Sequence, residues 1–421
     1  MGLLRRGSKV CGSGDKVHGT GAVSRLQSFE KNAGRRRLTF KPIAGWRKTM
    51  ETFFNLIQEV QKKGLCHRCG GCVTFCTAIN YGALELDQDG KPRYRDAEKC
   101  IECGLCYLIC PEIHELDEEQ KRTVAWSAPM GRVLNVSLSR ALNPTVRKRA
   151  TDGGVVTAVL LHLLDRGFID GAIVTKPSGP FTRTPWLATT HQEILDAAGF
   201  HFDTSHGMSL FSTSYSTYVP SIMEMGQPMR RGLRRVAFVG TPCQIKTIRK
   251  MEALGVVPSD SIKFHLGLFC TGNFSFGAKE SEKLQELGGF QWNDMRKINV
   301  KEDLYVHLEN GETRTIPLDQ LGFMKRFACR YCDDYSSEFA DISFGGLGAE
   351  EGWTTVLVRT PLGRAVMADA RQEVLETLSS PENPHAAREA LQKVEEWSER
   401  KKQMALENRE KLQAKPVFVK S

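Results

Sequence analysis

Apolar positions recur along this chain with two periods, and the change between them divides it into regions. Residues 155–164 are apolar at nearly every position, interrupted by Thr157 and His162, which predicts a helix buried on most sides. Gly167-Phe168-Ile169-Asp170-Gly171 then leads into Ala172-Ile173-Val174, a short run of strand type. Similar runs follow at 235–239, 262–269, 342–344 and 354–359, so helix and strand alternate over 130–380 and an α/β core is expected there. Beyond 384 the spacing is helical again. Leu391, Val394, Trp397, Met404 and Leu412 share one face with charge elsewhere, which predicts a C-terminal amphipathic helix within 384–421. Toward the other end, 46–61 also has helical spacing. Ala83-Leu84-Glu85-Leu86, Asp89-Gly90 and Pro92-Arg93-Tyr94 predict a short hairpin turning at Asp-Gly.

Composition adds limits. At 421 residues, 41% hydrophobic and 25% charged, the chain has room for two or three domains. Its longest apolar stretch is far below the roughly 20 residues of a membrane span, and no signal-like apolar segment opens it. A chain that is not transmembrane is expected. The net charge of +9 is concentrated: residues 1–50 hold twelve Lys or Arg and two acids, so the remainder is close to neutral at −1. Residues 1–45 read as a basic flexible arm rich in Gly, Ser, Lys and Arg. No aromatic ladder or recognition helix accompanies the charge, so the expectation is docking on a partner subunit and no nucleic acid.

Thirteen cysteines change the picture most. Cys66-x-x-Cys69-x-x-Cys72-x-x-x-Cys76 is followed by Cys100-x-x-Cys103-x-x-Cys106-x-x-x-Cys110-Pro111. A 4Fe–4S cube takes three thiolates from one tight loop and a fourth from elsewhere. In two-cluster ferredoxins the last cysteine of each run serves the other cluster. The expected ligand sets are therefore Cys66, Cys69, Cys72 and Cys110, and Cys100, Cys103, Cys106 and Cys76. Zinc sites use four ligands with longer gaps between pairs, which this double run does not resemble. A secreted disulfide framework would spread its cysteines through a small domain. The dense set points to a reducing compartment, hence a cytoplasmic protein.

Four more cysteines lie in the α/β region: Cys243 in Gly240-Thr241-Pro242-Cys243-Gln244, Cys270 at a strand end, and Cys329-x-x-Cys332. On chemistry alone they are either buried core thiols or the ligands of a third cluster. Gly153-Gly154 before the apolar helix is open in the same way. The pair either caps a core helix or offers free amides to a phosphate or a ring.

In order along the chain stand Asp152-Gly153-Gly154 with its helix, Ile169-Asp170-Gly171-Ala172, Gly240-Thr241-Pro242-Cys243-Gln244, Cys329-Arg330-Tyr331-Cys332-Asp333, Asp341-Ile342-Ser343-Phe344-Gly345, Gly352-Trp353-Thr354-Thr355-Val356 and Val358-Arg359-Thr360. Over about 64–375 this series resembles the beta subunit family of coenzyme F420 hydrogenases and dehydrogenases. The same family takes in F420-oxidising subunits of respiratory complexes and of formate dehydrogenases, and a plant chlorophyll-cycle reductase. The resemblance implies FAD in the α/β domain, with Asp152, Gly153 and Gly154 against it. It implies a third 4Fe–4S cluster on Cys243, Cys270, Cys329 and Cys332. It also places His201 near a lysine of the family, where it would donate a hydrogen bond to reduced flavin. Many members have Gly-Ser-Lys-Tyr where this chain has Gly199-Phe200-His201-Phe202.

The expected fold is therefore mixed (α+β / α/β): a two-cluster bacterial-ferredoxin-like domain over 46–120, then a larger mixed α/β flavin domain over 130–380. The expected function is that of an iron–sulfur flavoprotein subunit. It would exchange a hydride between reduced coenzyme F420, or a similar donor, and FAD, and relay single electrons to a heterodisulfide-reductase-like, formate dehydrogenase or hydrogenase subunit. The altered stretch at His201 supports an alternative, an electron conduit or adaptor with no hydride site of its own. The chlorophyll-cycle relative suggests a third, a reductase of an organic substrate.

Overall fold

The computed structural model describes residues 51–179, 182–199, 215–216, 218–378 and 385–414. The first turn, Phe53–Leu56, is capped by Thr52, whose hydroxyl accepts from the Phe54 N–H at 3.2 Å, and it continues as a π-helical turn over Ile57–Gln61. Helix α1 (Gly71–Ala78) follows the first cysteines. Strands β1 (Leu84–Leu86) and β2 (Pro92–Tyr94) form the expected hairpin with Leu84 opposite Tyr94. Gly90 takes φ 72° in its turn, a conformation that costs glycine little.

The apolar runs of the α/β region assemble into one large sheet from β3 (Asn135–Ala141), β4 (Gly171–Gly179), β5 (Thr182–Ala188), β7 (Val236–Gly240), β8 (Ile262–Leu268), β13 (Ile342–Gly345), β14 (Thr354–Val358) and β15 (Leu375–Thr377). Its order is β15-β3-β14-β13-β8-β7-β4-β5. The central four, β13, β8, β7 and β4, are parallel neighbours. These are the near-continuous apolar runs, as strands covered on both faces require. The flanking pairings are antiparallel. Outside this sheet, β6 (Tyr215–Ser216) pairs with β9 (Ser275–Phe276). Strands β10 (Met295–Val300), β11 (Asp303–Leu308) and β12 (Thr313–Pro317) make an antiparallel trio with its own small core around Ile298, Leu304 and Val306.

Helices cover both faces. On one, α2 (Val155–Asp165) and α4 (Pro361–Glu373) bury Val159, Leu163, Val366 and Met367 against Leu266 and Val356. On the other, α3 (Pro242–Leu254) packs Ile245, Ile248 and Met251 on Ile173 and Phe238, and Phe75 and Ile109 of the cysteine segment join that same core. The cysteine segment thus sits on the sheet through α3.

The last helix, α5 (His385–Ala414), departs from the expected register. Its buried stripe runs through Ala387, Ala390, Val394, Ser398, Lys401 and Ala405, while Met404 is 45% exposed. Small residues let this helix approach closely, and the longer side chains Leu391 and Trp397 pack from its flank. Among the described residues no helix is long and apolar enough to cross a membrane.

Candidate functional site

The eight cysteines of the double run separate in space into two crossed sets. Cys66, Cys69, Cys72 and Cys110 surround one small void of about 30 Å³, and Cys76, Cys100, Cys103 and Cys106 surround another of about 30 Å³. The crossing follows from helix geometry. Cys72 and Cys76 both lie on α1, and four residues of helix rise about 6 Å, enough to carry the second thiol to the other void. The two loops repeat one backbone pattern. Arg68 and Glu102 have φ 56° and 53°, and Gly70 and Gly104, each just before a helix, have φ 81° and 71°. Burial pushes the Cys66 thiol up to about 11 and the Cys106 thiol to about 12, and thiols of the same set add to each rise. Such thiols carry charge only against a metal. Beside the first set, Nη2 of Arg326 donates to the His67 carbonyl at 3.1 Å, while Nη1 is buried with no hydrogen-bond partner among the described residues. An orphaned guanidinium N–H beside four thiols suits an anionic cluster. Among the described residues no three of His, Cys, Asp or Glu converge as the ligands of a single ion do.

The four remaining candidates also come together. Cys243 opens α3, Cys270 follows β8, and Cys329 and Cys332 flank the end of a 3₁₀ turn at Phe327–Arg330. Burial raises the thiols of Cys243, Cys270 and Cys332. The charge of Cys332 adds to the rise at Cys243, that of Cys329 at Cys270, and that of Cys270 at Cys332. The Asn273 N–H donates to Cys329 Sγ at 3.4 Å and its Nδ2 to Cys270 Sγ at 3.7 Å. Amide donors of this kind suit cluster thiolates.

Helix α3 joins this set to the first. Thr247, one turn beyond Cys243, donates from Oγ1 to the Cys243 carbonyl at 2.9 Å, and the same oxygen lies 3.7 Å from Cys69 Sγ. Lys250, fully buried on the same face, donates to the Cys110 carbonyl at 2.9 Å. A Cβ at Gly71 would meet Thr247 Cγ2 at 2.5 Å, so the cysteine loop approaches α3 closely.

A cavity of about 320 Å³ opens at the carboxyl ends of the parallel strands, lined by Gly240, Leu268 and Gly345 at those ends, by Val174 just past the parallel pairing of β4, and by Cys270. Ligands of open α/β sheets bind at this edge. The β10 region lends Asn299 and Lys301. Asp152 lines the cavity, with Oδ1 accepting from Asn299 Nδ2 at 2.9 Å and lying 3.9 Å from Lys301 Nζ. Gly154 lines it too and begins α2 at φ 74°. Gly153 faces elsewhere: its Cβ would stand 2.6 Å from the Ser139 carbonyl oxygen of β3, and its N–H donates to Thr354 Oγ1 at 3.1 Å. His201 lies outside the described residues.

Residues 136–212 and 233–383 match the family models described as the N-terminal and C-terminal parts of the coenzyme F420 hydrogenase/dehydrogenase beta subunit, and 58–111 match a 4Fe-4S dicluster domain. The coenzyme F420 hydrogenase subunit beta of Methanococcus voltae is 30% identical over 241 residues, which cover 56% of this chain and 81% of that one. The chain belongs to the coenzyme F420 hydrogenase/dehydrogenase beta subunit family. The F420-dependent formate dehydrogenase subunit beta of Methanocaldococcus jannaschii is 25% identical over 265 residues, covering 61% of this chain and 65% of that one. In solved structures, a chain of the F420-reducing [NiFe] hydrogenase complex from Methanosarcina barkeri superposes with a TM-score of 0.58 at 26% identity, covering 68% of this chain and 94% of that one. The fold is accordingly a ferredoxin-like 4Fe–4S segment followed by a mixed α/β domain, in a family of oxidoreductase subunits.

Several residues in this arrangement escaped the reading of the sequence. Thr247 and Lys250 follow Cys243 at i+4 and i+7, the spacing of one helix face, and that was the available signal. Lys401, whose Nζ donates to the Cys270 carbonyl at 2.5 Å, gave none, because it reaches its place only through tertiary packing.

Proposed function

We propose that this chain exchanges a hydride between reduced coenzyme F420, or a similar donor, and FAD held in the cavity, and passes single electrons to a partner oxidoreductase subunit of the heterodisulfide-reductase-like, formate dehydrogenase or hydrogenase kind. Residues 46–120 are assigned to the two-cluster part, 130–380 to the flavin part, and 1–45 and 384–421 to the arm and the closing helix. The observation that carries this reading is that Cys270 lines the cavity and belongs to a set of four thiols, while Thr247 stands between Cys243 of that set and Cys69 of the next. When bound, FAD supplies the exchange between hydride and one-electron chemistry, and 4Fe–4S groups accept electrons singly.

The chain's own residues do the rest. The apolar walls contributed by Val156, Val174 and Leu268 exclude water, and Asp152, fixed by Asn299, offers an acceptor to a ribose hydroxyl or a ring N–H. Cys243, Cys270, Cys329 and Cys332 would hold one cluster, Cys66, Cys69, Cys72 and Cys110 a second, and Cys76, Cys100, Cys103 and Cys106 a third. Ile101, 55% exposed between Cys100 and Cys103, marks the face a partner would cover. The test is anaerobic purification with FAD present, followed by addition of reduced F420. Flavin absorbance should bleach, and the iron–sulfur absorbance should follow. Protein that retains no flavin and oxidises no F420 supports the conduit reading instead.

A further inference from the structure

Helix α5 lies beyond the last residue, 383, that the family models match, yet it reaches the third set of thiols. Its buried stripe carries Lys401, whose Nζ donates to the carbonyls of Asp334 at 2.8 Å and Cys270 at 2.5 Å. Two turns further, Asn408 Nδ2 donates to the Arg330 carbonyl at 2.9 Å and Arg409 Nη2 to the Tyr331 carbonyl at 3.0 Å, the two residues between Cys329 and Cys332. Arg409 also pairs with Glu112 at 2.8 Å, and Glu112 with His67 at 2.7 Å, tying the helix to the loop of the first set. The helix is therefore held in place at both ends of this contact.

Lys401 itself is 9% exposed. Among the described residues no carboxylate pairs with it, and both of its hydrogen-bond partners are neutral carbonyls. A lysine serving only the packing of α5 would lead its amine to water, as long side chains do on exposed helix faces. Here the amine turns inward to the carbonyl of a candidate ligand.

We propose that Lys401 is a positioning residue for electron transfer, a fixed positive charge that raises the reduction potential of the cluster held by Cys243, Cys270, Cys329 and Cys332. This rests on the reading that those thiols hold a 4Fe–4S cluster. Reduction adds one electron and breaks no bond. A cation at close range in a poorly polarisable interior favours the more negative, reduced form, so the potential rises.

The test is a redox titration of the full chain, prepared anaerobically and followed by electron paramagnetic resonance, with iron counted on the same samples. Lys401→Gln keeps a donor for the two carbonyls and removes the charge. The expected result is wild-type iron, two unchanged midpoints, and a third lowered by at least tenfold in the equilibrium constant for one-electron reduction, which is about 59 mV. Lys393→Met, an exposed lysine of the same helix, should move none of them. Three unchanged midpoints in Lys401→Gln overturn the proposal, and so does loss of iron, which would make Lys401 an assembly residue. Should that variant fail to fold, Lys401→Arg decides: a retained midpoint supports the charge, and a tenfold fall with the charge still present overturns it. Wild-type protein with only two clusters would overturn the underlying reading, which is a different result from three clusters insensitive to Lys401.

Discussion

Gly153 and Gly154 stand together in the sequence and do different work. Gly154 lines the cavity in the left-handed conformation, while Gly153 exists to let the loop touch β3. A Cβ only 2.6 Å from a backbone oxygen cannot be relieved by a side-chain rotation. Gly153→Val should therefore cost roughly 1–3 kcal/mol or more by overpacking, whether or not flavin is bound, and denaturant unfolding of the variant measures it. Loss of flavin in that variant would say nothing about the cavity. Val156, half-buried on the cavity wall at the first turn of α2, is the better probe. Val156→Phe fills cavity space and replaces no thiol. It should leave iron at the wild-type level while flavin absorbance and F420 oxidation are lost; retained flavin would mean that the cofactor lies elsewhere.

At the scale of elements, α3 is the joint of the molecule. It packs on the sheet with one face and presents Cys243, Thr247 and Lys250 to the cysteine segment with another. The close approach of Gly71 to Thr247 makes the joint testable. Gly71→Ala should destabilise the chain by about 1–3 kcal/mol. Thr247→Ser, which lacks the methyl in the way and keeps the hydroxyl, should recover most of that loss in the double variant. Strictly additive effects in the double-mutant cycle would mean that the two segments do not meet there.

The same scale shows what the sequence made legible. Alternating apolar runs identified the central strands, because each is covered on both faces and needs apolar side chains throughout. Cysteine spacing identified the two crossed sets, because helix rise converts a three-residue gap into a change of void. The trio β10–β12 was not singled out, although Leu304, Val306 and Leu308 alternate cleanly as a half-buried strand must. Its contribution of Asn299 and Lys301 to the cavity depends on a tertiary fold that no local pattern carries. For α5, counting apolar residues gave a face that included Met404. The true face is built from alanines, a serine and a buried lysine, which an apolar count passes over.

For the whole molecule, the charge is concentrated at one end, while twelve of the thirteen cysteines lie between 66 and 332. The excess positive charge belongs to residues 1–50, and the remainder is nearly neutral. Deleting 1–45 should weaken assembly with a partner subunit at low salt and leave donor-to-dye electron transfer by the isolated chain intact. The gap between deleted and full-length protein should narrow as salt screens the charges, measured by co-elution across ionic strengths. Collapse of electron transfer in the deleted chain would assign the arm to catalysis instead.

The thiols make the central claim: three sets of four, arranged from the cavity through α3 to the hairpin. Iron stoichiometry on anaerobically purified chain tests it most directly. The account predicts about twelve iron atoms in the wild type, four for each of three clusters, and about eight when Cys243 and Cys332 are replaced by Ser. About eight in both proteins would contradict it.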